Sequence, residues 1–293
     1  MVNWLLTIIT LGLYYPWAKA RNLQFLYGST ALNNDRFAFH GTGREMFIGF
    51  IKTIIIFGVI YGQLLLLAYF DMPVLGAVIF YFAIIAIIPV AIHGSYRYRF
   101  SRTSWRGIRF GYRGDRTELF INYFKWAFFS NITLGIYGAW MKMKLRGYLL
   151  SNVRAGNVEF KYNGVGSKYL VMNIKGFLLT LITLGIYGSW WQKDLFAYYV
   201  DNLTLSKENQ QIRMKSTATG GEFFKLNVVN FILFIFTLGF GYAWVVTRTM
   251  NFVTSRIKLA GNMDLDTIQQ TEDDYNDATG DDMTGFLDIN FII

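Results

Sequence analysis

Short alternating segments, long apolar segments and basic aromatic segments follow one another along this chain in an order that recurs. Arg36–Gly43 (RFAFHGTG), Arg109–Arg116 (RFGYRGDR) and Glu159–Gly166 (EFKYNGVG) alternate apolar and polar positions before a glycine, and Arg213–Gly220 (RMKSTATG) is a weaker copy. A period of two with Phe37/Phe39, Phe110/Tyr112 and Phe160/Tyr162 on one face predicts a short strand ending in a turn. Glu45, Glu118 or Glu222 follows, where a helix N-terminus favours an acid; Lys168 stands there in the third unit. An apolar helix comes next. Phe47 to Phe70 carries a single charge, Lys52, and Val74 to Ile92 carries none. Each run matches the roughly 20 residues needed to cross a bilayer, and Asp71-Met72-Pro73 forms the turn between them.

A Thr-Leu-Gly string ending in Trp closes each unit: Thr10–Trp17 (TLGLYYPW), Thr133–Trp140 (TLGIYGAW), Thr183–Trp190 (TLGIYGSW) and Thr237–Trp244 (TLGFGYAW). Gly114 to Thr133, Gly164 to Thr183 and Ala218 to Thr237 are each 19 residues. This regularity reads as an internal repeat of roughly 50 residues. Gly12, Trp17, Gly135, Trp140, Gly185, Trp190, Gly239 and Trp244 are then interfacial positions, since Trp prefers the bilayer edge. The first unit lacks its front half, because its glycine turn would precede Met1. Either the chain begins late in its gene, which is the favoured expectation, or the first copy has lost its front half.

These motifs, carried by Leu5–Trp17 (LLTIITLGLYYPW), Arg36–Phe47 (RFAFHGTGREMF) and the later Thr-Leu-Gly copies, resemble the YjgN-like family of bacterial inner-membrane proteins, a domain family of unknown function. The resemblance spans residues 1–262. It implies a multi-pass protein of the bacterial cytoplasmic membrane, and no established substrate, cofactor or catalytic residue.

Composition agrees with a membrane protein: 53% of the 293 residues are hydrophobic and only 16% charged. The absence of cysteine excludes disulfides, thiolate metal sites and thiol catalysis. Charge divides the chain. Residues 1–262 hold all 28 Lys and Arg with 10 acids, whereas 263–293 holds nine acids (Asp264, Asp266, Glu272, Asp273, Asp274, Asp277, Asp281, Asp282, Asp288) and no base. The expected architecture is an all-α integral membrane protein of about six transmembrane helices with short β-hairpin-like turns, followed by an acidic, largely disordered tail over 263–293. The apolar end of that tail, Gly285–Ile293, could dock on the rest. Basic rims fit anionic lipid as the partner. Nucleic acid is not expected, because no soluble basic domain remains to bind it.

Three lysines hold one repeat position, 11 residues past the glycine: Lys52, Lys125 and Lys175. They are candidates for an intramembrane cationic site, converging on one polar cavity; the alternative is that their stems carry the ammonium back to phosphate level. Arg99, Arg102 and Arg106, spaced to share a helical face, are candidate lipid-headgroup contacts. His40 and His93 lack metal-ligand spacing, and no nucleotide or nucleophile motif is present, so no cofactor, metal or catalytic residue is expected. Counts of Lys and Arg between six spans favour connectors 18–46, 95–117 and 192–222 in the cytoplasm, with Asp71–Pro73 periplasmic. A rival topology bends the Thr-Leu-Gly units back as re-entrant hairpins, leaving every basic connector cytoplasmic. Two function classes fit: transport of a small anionic solute, or a non-transporting protein that binds or organises anionic lipid or a membrane partner.

Overall fold

The computed structural model describes residues 2–208, 210–261, 267–271, 275 and 277–287. The chain divides into two compact units, residues 2–124 with the segment from Gln270 onward, and residues 125–269. The first contains α1 (Val2–Ile9), α2 (Tyr15–Gly28), β1 (Ala31–Leu32), β2 (Asp35–Phe39), α3 (Gly43–Tyr69), α4 (Pro73–Ser101), β3 (Thr103–Trp105) and β4 (Ile108–Tyr112). Helix α5 (Arg116–Ile132) runs across the boundary. The second contains α6 (Gly138–Ser151), β5 (Val153–Ala155), β6 (Val158–Tyr162), α7 (Gly166–Ile182), α8 (Gly188–Asp201), β7 (Leu203–Lys207), β8 (Gln210–Ser216), α9 (Gly220–Phe236), α10 (Tyr242–Ser255) and β9 (Ile257–Gly261). The tail helix α11 (Thr279–Phe286) belongs to the first unit.

Within each unit the strands pair antiparallel with their chain neighbours, β1 to β4 in the first and β5 to β9 in the second. Asn33 and Asn34 (φ 51° and 68°) join β1 to β2, and Arg106 and Gly107 (φ 51° and 78°) join β3 to β4. Two successive positive φ angles match the right-handed twist of the strands they connect. The longer-range pairings fix the topology. Strand β2 enters α3 and pairs with β3, which leaves α4, placing Phe39 opposite Thr103. Likewise β6 and β7 close the α7–α8 hairpin with Tyr162 opposite Leu203, and β8 and β9 close α9–α10 with Ser216 opposite Ile257. Each of these three helical hairpins therefore ends beside its own start.

This corrects the expected all-α fold with six transmembrane helices. Among the described residues nine strands are present, and only α3 and α4 are long and apolar enough to cross a membrane. Helices α7 and α9, at 17 residues each, rise about 25 Å, short of the roughly 30 Å hydrocarbon core. The alternation of odd and even connectors across the bilayer falls with it: β6 and β7 lie on the connectors 141–168 and 192–222, assigned to opposite faces by charge counting, yet they are hydrogen-bonded neighbours.

The Thr-Leu-Gly string is what shortens these helices. In the third copy Leu184 N–H bonds to Leu181 C=O (3.2 Å) and Gly185 N–H to Thr180 C=O (2.8 Å), the paired pattern of a Schellman cap. Leu11, Leu134, Leu184 and Leu238 all take φ near 50°, and the glycine after each lies between 85° and 96°. Thr183 Oγ1 donates to Leu179 C=O (2.7 Å) and accepts from Tyr187 N–H (2.9 Å), tying the incoming helix to the outgoing one. Thr10, Thr133 and Thr237 repeat this bridge. Thus one hydroxyl satisfies an N–H that the chain reversal would leave open, while adding a second bond to a carbonyl that already accepts the threonine N–H.

Return helices α2, α4, α6 and α8 pack along the strands. One core joins Ala20, Phe39, Met46 and Tyr98 in the first unit, and another joins Met143, Tyr162 and Tyr169 in the second. The Trp after each turn pins the next helix. A Cβ at Gly43, Gly166 or Gly220 would overlap the indole of Trp17, Trp140 or Trp190 respectively. These three tryptophans therefore pack against a helix start, whereas Trp244, with no described helix following it in the repeat, is exposed.

Candidate functional site

The densest charge cluster lies in the first unit, where α2, α3 and α4 meet α11. Gly49 and Gly94 open the space. At Gly94 the α11 backbone approaches through Gly280, and a Cβ there would collide with it. Into this groove α11 carries Asp281, which is 0% exposed, and Asp282, which is also buried. Lys19 of α2 lies 2.8 Å from Asp281 Oδ2 and 2.8 Å from Asp282 Oδ1. Arg99 of α4 pairs with Asp281 through Nε, and Ser95 Oγ donates to Asp281 Oδ1 at 3.1 Å. At the rim, Lys52 of α3 meets Asp277 at 3.3 Å with both half-exposed, and the Arg97 guanidinium lies over the Tyr275 ring at 4.3 Å. Phe286 packs on Phe57, ring centroids 4.3 Å apart.

Burial penalises every charge here, so pairing decides which ones persist. For Asp281, burial pushes the carboxyl upward, but Lys19 and Arg99 outweigh it and hold the group below its ordinary range. Asp282 shares only Lys19, already engaged by Asp281, and burial wins: its carboxyl is pushed up to about 6. Burial lowers Lys19 as well, and its two carboxylate partners more than restore it.

A second ion pair sits at the helix starts. Thr42 and Glu45 form a capping box on α3, and Glu45 receives Arg102 at 2.6 Å and Tyr98 Oη at 3.1 Å. Thr219 and Glu222 do the same on α9, with Arg256 at 2.6 Å. The acids expected at helix starts on dipole grounds thus act as reciprocal caps as well. Glu118 N–H instead bonds to Asp115 Oδ1 at 2.6 Å.

The three candidate arginines do not form one stripe. Helix α4 ends at Ser101, so Arg99 alone is helical; Arg102 caps the helix and Arg106 sits in the β3–β4 turn beside Asp35 and over the Trp105 ring. Each of the three meets a different carboxylate. Of the candidate lysines, Lys52 meets Asp277, while Lys125 and Lys175 are exposed. Lys175 lies among Val171, Ile174 and Leu178 on an outward face of α7. His40 Nε2 meets Ser104 Oγ at 2.7 Å and His93 Nε2 meets the Gly114 carbonyl at 2.9 Å, both structural bonds. Among the described residues no group of His, Asp and Glu is placed to hold a metal ion.

Lys19, Ser95, Asp281 and Asp282 are the site residues that sequence reasoning did not single out. The available signal was local: Asp281-Asp282 stands among small residues (Ala278, Thr279, Gly280, Thr284, Gly285), unlike the exposed run around it. Asp264, Asp266, Glu272, Asp273, Asp274, Asp288 and the end of the chain from residue 288 lie outside the described residues.

Two apolar helices of spanning length, and shorter helical hairpins with exposed apolar tips, make this a helical-hairpin protein in which α3–α4, α7–α8 and α9–α10 are each closed by paired strands. The chain belongs to DUF898, a family described as bacterial protein of unknown function, whose model matches residues 1–164 and 191–286. It is similar to proteins named inner membrane protein YjgN from Escherichia coli O157:H7 (36% identical over 112 residues, 38% of this chain and 27% of the relative) and from Salmonella typhimurium (37% over 113 residues, 39% and 27%). These matches thus cover about a quarter of the length of each relative. No solved structure matches.

Proposed function

We propose that this chain is a multi-pass inner-membrane protein built by repetition of one hairpin module, and that it binds anionic lipid without transporting a solute. The observation that carries the reading is the apex residue of the Thr-Leu-Gly turns. Leu11, Leu134 and Leu184 are each 94% exposed and Leu238 87%, and all four hold a left-handed conformation that suits Gly or Asn far better. An exposed, strained leucine repeated four times is sensible where the surroundings are hydrocarbon. The neighbouring Ile132, Ile136, Ile182, Ile186 and Phe236 are exposed too. Basic side chains midway along α5 and α7, Lys125 and Lys175, then reach toward phosphates by snorkelling. The names of the relatives support the inner membrane as the location.

The test is reconstitution into vesicles of phosphatidylcholine with and without phosphatidylglycerol, reading lipid association by native mass spectrometry and solute flux in parallel. Retention of phosphatidylglycerol, weakened when Lys125 and Lys175 are both changed to Met, is the expected result. Anion flux that disappears in the same double variant would return the transport reading.

A further inference from the structure

We propose that the groove between α2, α3 and α4, walled by Lys19, Ser95 and Arg99, is a binding site for a phosphate-bearing anion, and that Asp281 and Asp282 of α11 occupy it as a built-in competitor. Two cations and a hydroxyl converge there on a single carboxylate: Lys19 and Arg99 both pair with Asp281, and Ser95 donates to it at 3.1 Å. A phosphate offers the same acceptors with more oxygens and more charge, and the planar Arg donor suits it. Lys19 has only 10% of its side chain exposed and Arg99 21%. If α11 leaves, Lys19 and Arg99 lose their carboxylate partners together, and the vacated groove presents two converging cations and a hydroxyl to an entering anion. Lys52 and Arg97 at its rim add to the attraction.

The occupant is exchangeable because of how it is held. Helix α11 has eight residues, and the apolar side chains buried with it are essentially Ala278 and Met283; Phe286 remains 60% exposed. Charge pairing supplies the rest, and a buried pair is worth little net against an alternative pair of similar geometry. Asp282 weakens the grip further, since its ionised form is poorly compensated. The ligand source is either free phosphate or a lipid headgroup phosphate, because both present the same oxygens. The inference stands on the first unit alone and does not depend on how deep the Thr-Leu-Gly tips lie.

Hydrogen exchange of residues 277–287 in the full chain tests it. In neutral detergent, inorganic phosphate is compared with chloride at matched ionic strength. In nanodiscs, phosphatidylcholine is compared with phosphatidylcholine containing phosphatidylglycerol. Exchange about tenfold faster with phosphate identifies a free-anion site; acceleration by phosphatidylglycerol alone identifies a headgroup site. Asp282→Asn, which removes the poorly compensated charge while leaving the Asp281 pairs in place, should hold α11 more tightly and blunt either response, and Lys19→Met should abolish it. Unchanged exchange in the wild type under both anions, or an undiminished response in Lys19→Met, would overturn the proposal and make α11 a fixed part of the fold. Since Lys125 and Lys175 play no part, failure here leaves the lipid-retention test of the tips separate.

Discussion

The α3–α4 and α7–α8 hairpins begin their turns with the same hydrogen-bond pattern and differ in what stands at the apex. At the α3 end Asp71 N–H bonds to Ala68 C=O (3.2 Å) and Met72 N–H to Leu67 C=O (2.8 Å), and Asp71 takes φ 56°. This is the Schellman pattern of Leu184 and Gly185, with an acid in place of leucine. Asp tolerates the left-handed region and prefers water. Helices of 27 and 29 residues, about 40 Å long, are long enough to carry that apex through a bilayer. Helices of 17 and 14 residues are too short for Leu184 to reach the far side. On the proposed reading, helix length sets the depth and the apex residue is matched to the medium found there.

The strongest way to break the comparison is to exchange the apices. Leu184→Asp should cost about 3 kcal/mol of insertion if the tip lies in hydrocarbon, while Asp71→Leu should change little; extraction of each variant from membranes and its thermal midpoint would report both. Next, Gly220→Val should destabilise by about 2–3 kcal/mol, since its side chain must displace Trp190, whereas Gly58→Val on α3, where a Cβ meets nothing, should be close to neutral. Thr183→Val keeps the shape but removes the hydroxyl bridge, leaving Tyr187 N–H unpaired in an apolar setting while Leu179 C=O keeps its bond from Thr183 N–H. A loss of about 2 kcal/mol in thermal or denaturant unfolding is expected.

How much of this was readable in advance follows from the range of each interaction. Strands β2, β4, β6 and β8 were legible because Phe37/Phe39 and their counterparts alternate next to a glycine. Their partners were not: Thr103–Trp105 lies inside a run of arginines whose spacing imitates a helical face, and only the Arg106–Gly107 turn breaks it. The Thr-Leu-Gly string was recognised, but its effect on the backbone depends on four simultaneous hydrogen bonds that spacing does not reveal. Trp17, Trp140 and Trp190 looked like interface anchors because the glycines they touch lie about 26–30 residues onward. The Lys19–Asp281 pair spans 262 residues and has no local signature at either end. Composition assigns the tail to solvent, since a count of charges carries no information about where their partners lie.

The smallest expected effect concerns pH and the tail helix. Around the two carboxylates stand Lys19 from α2 and Arg99 with Ser95 from α4; Lys52 from α3 faces Asp277. Because the docked Asp282 carboxyl sits at about 6, above its ordinary 3.8, its contribution to docking is present at low pH and is lost as pH rises to 6. Asp281 runs the other way: its contribution is present above 3.8 and is lost as pH falls through its depressed value. Docking should therefore be tightest near pH 4, about tenfold tighter at pH 5 than at pH 7, and weaker again in strong acid. Exchange of residues 277–287, corrected for intrinsic rates, measures this.

Reversal of the Thr-Leu-Gly hairpins within the membrane is tested most directly by accessibility in this cysteine-free chain. Single cysteines at positions 163, 184 and 208 bracket α7–α8, with 163 and 208 in exposed positions at the strand ends. In sealed vesicles of known orientation, positions 163 and 208 should react with a membrane-impermeant thiol reagent from the same side, and position 184 from neither. Labelling of 163 and 208 from opposite sides, or of 184 from the side away from the strands, would contradict the hairpin and restore a spanning helix.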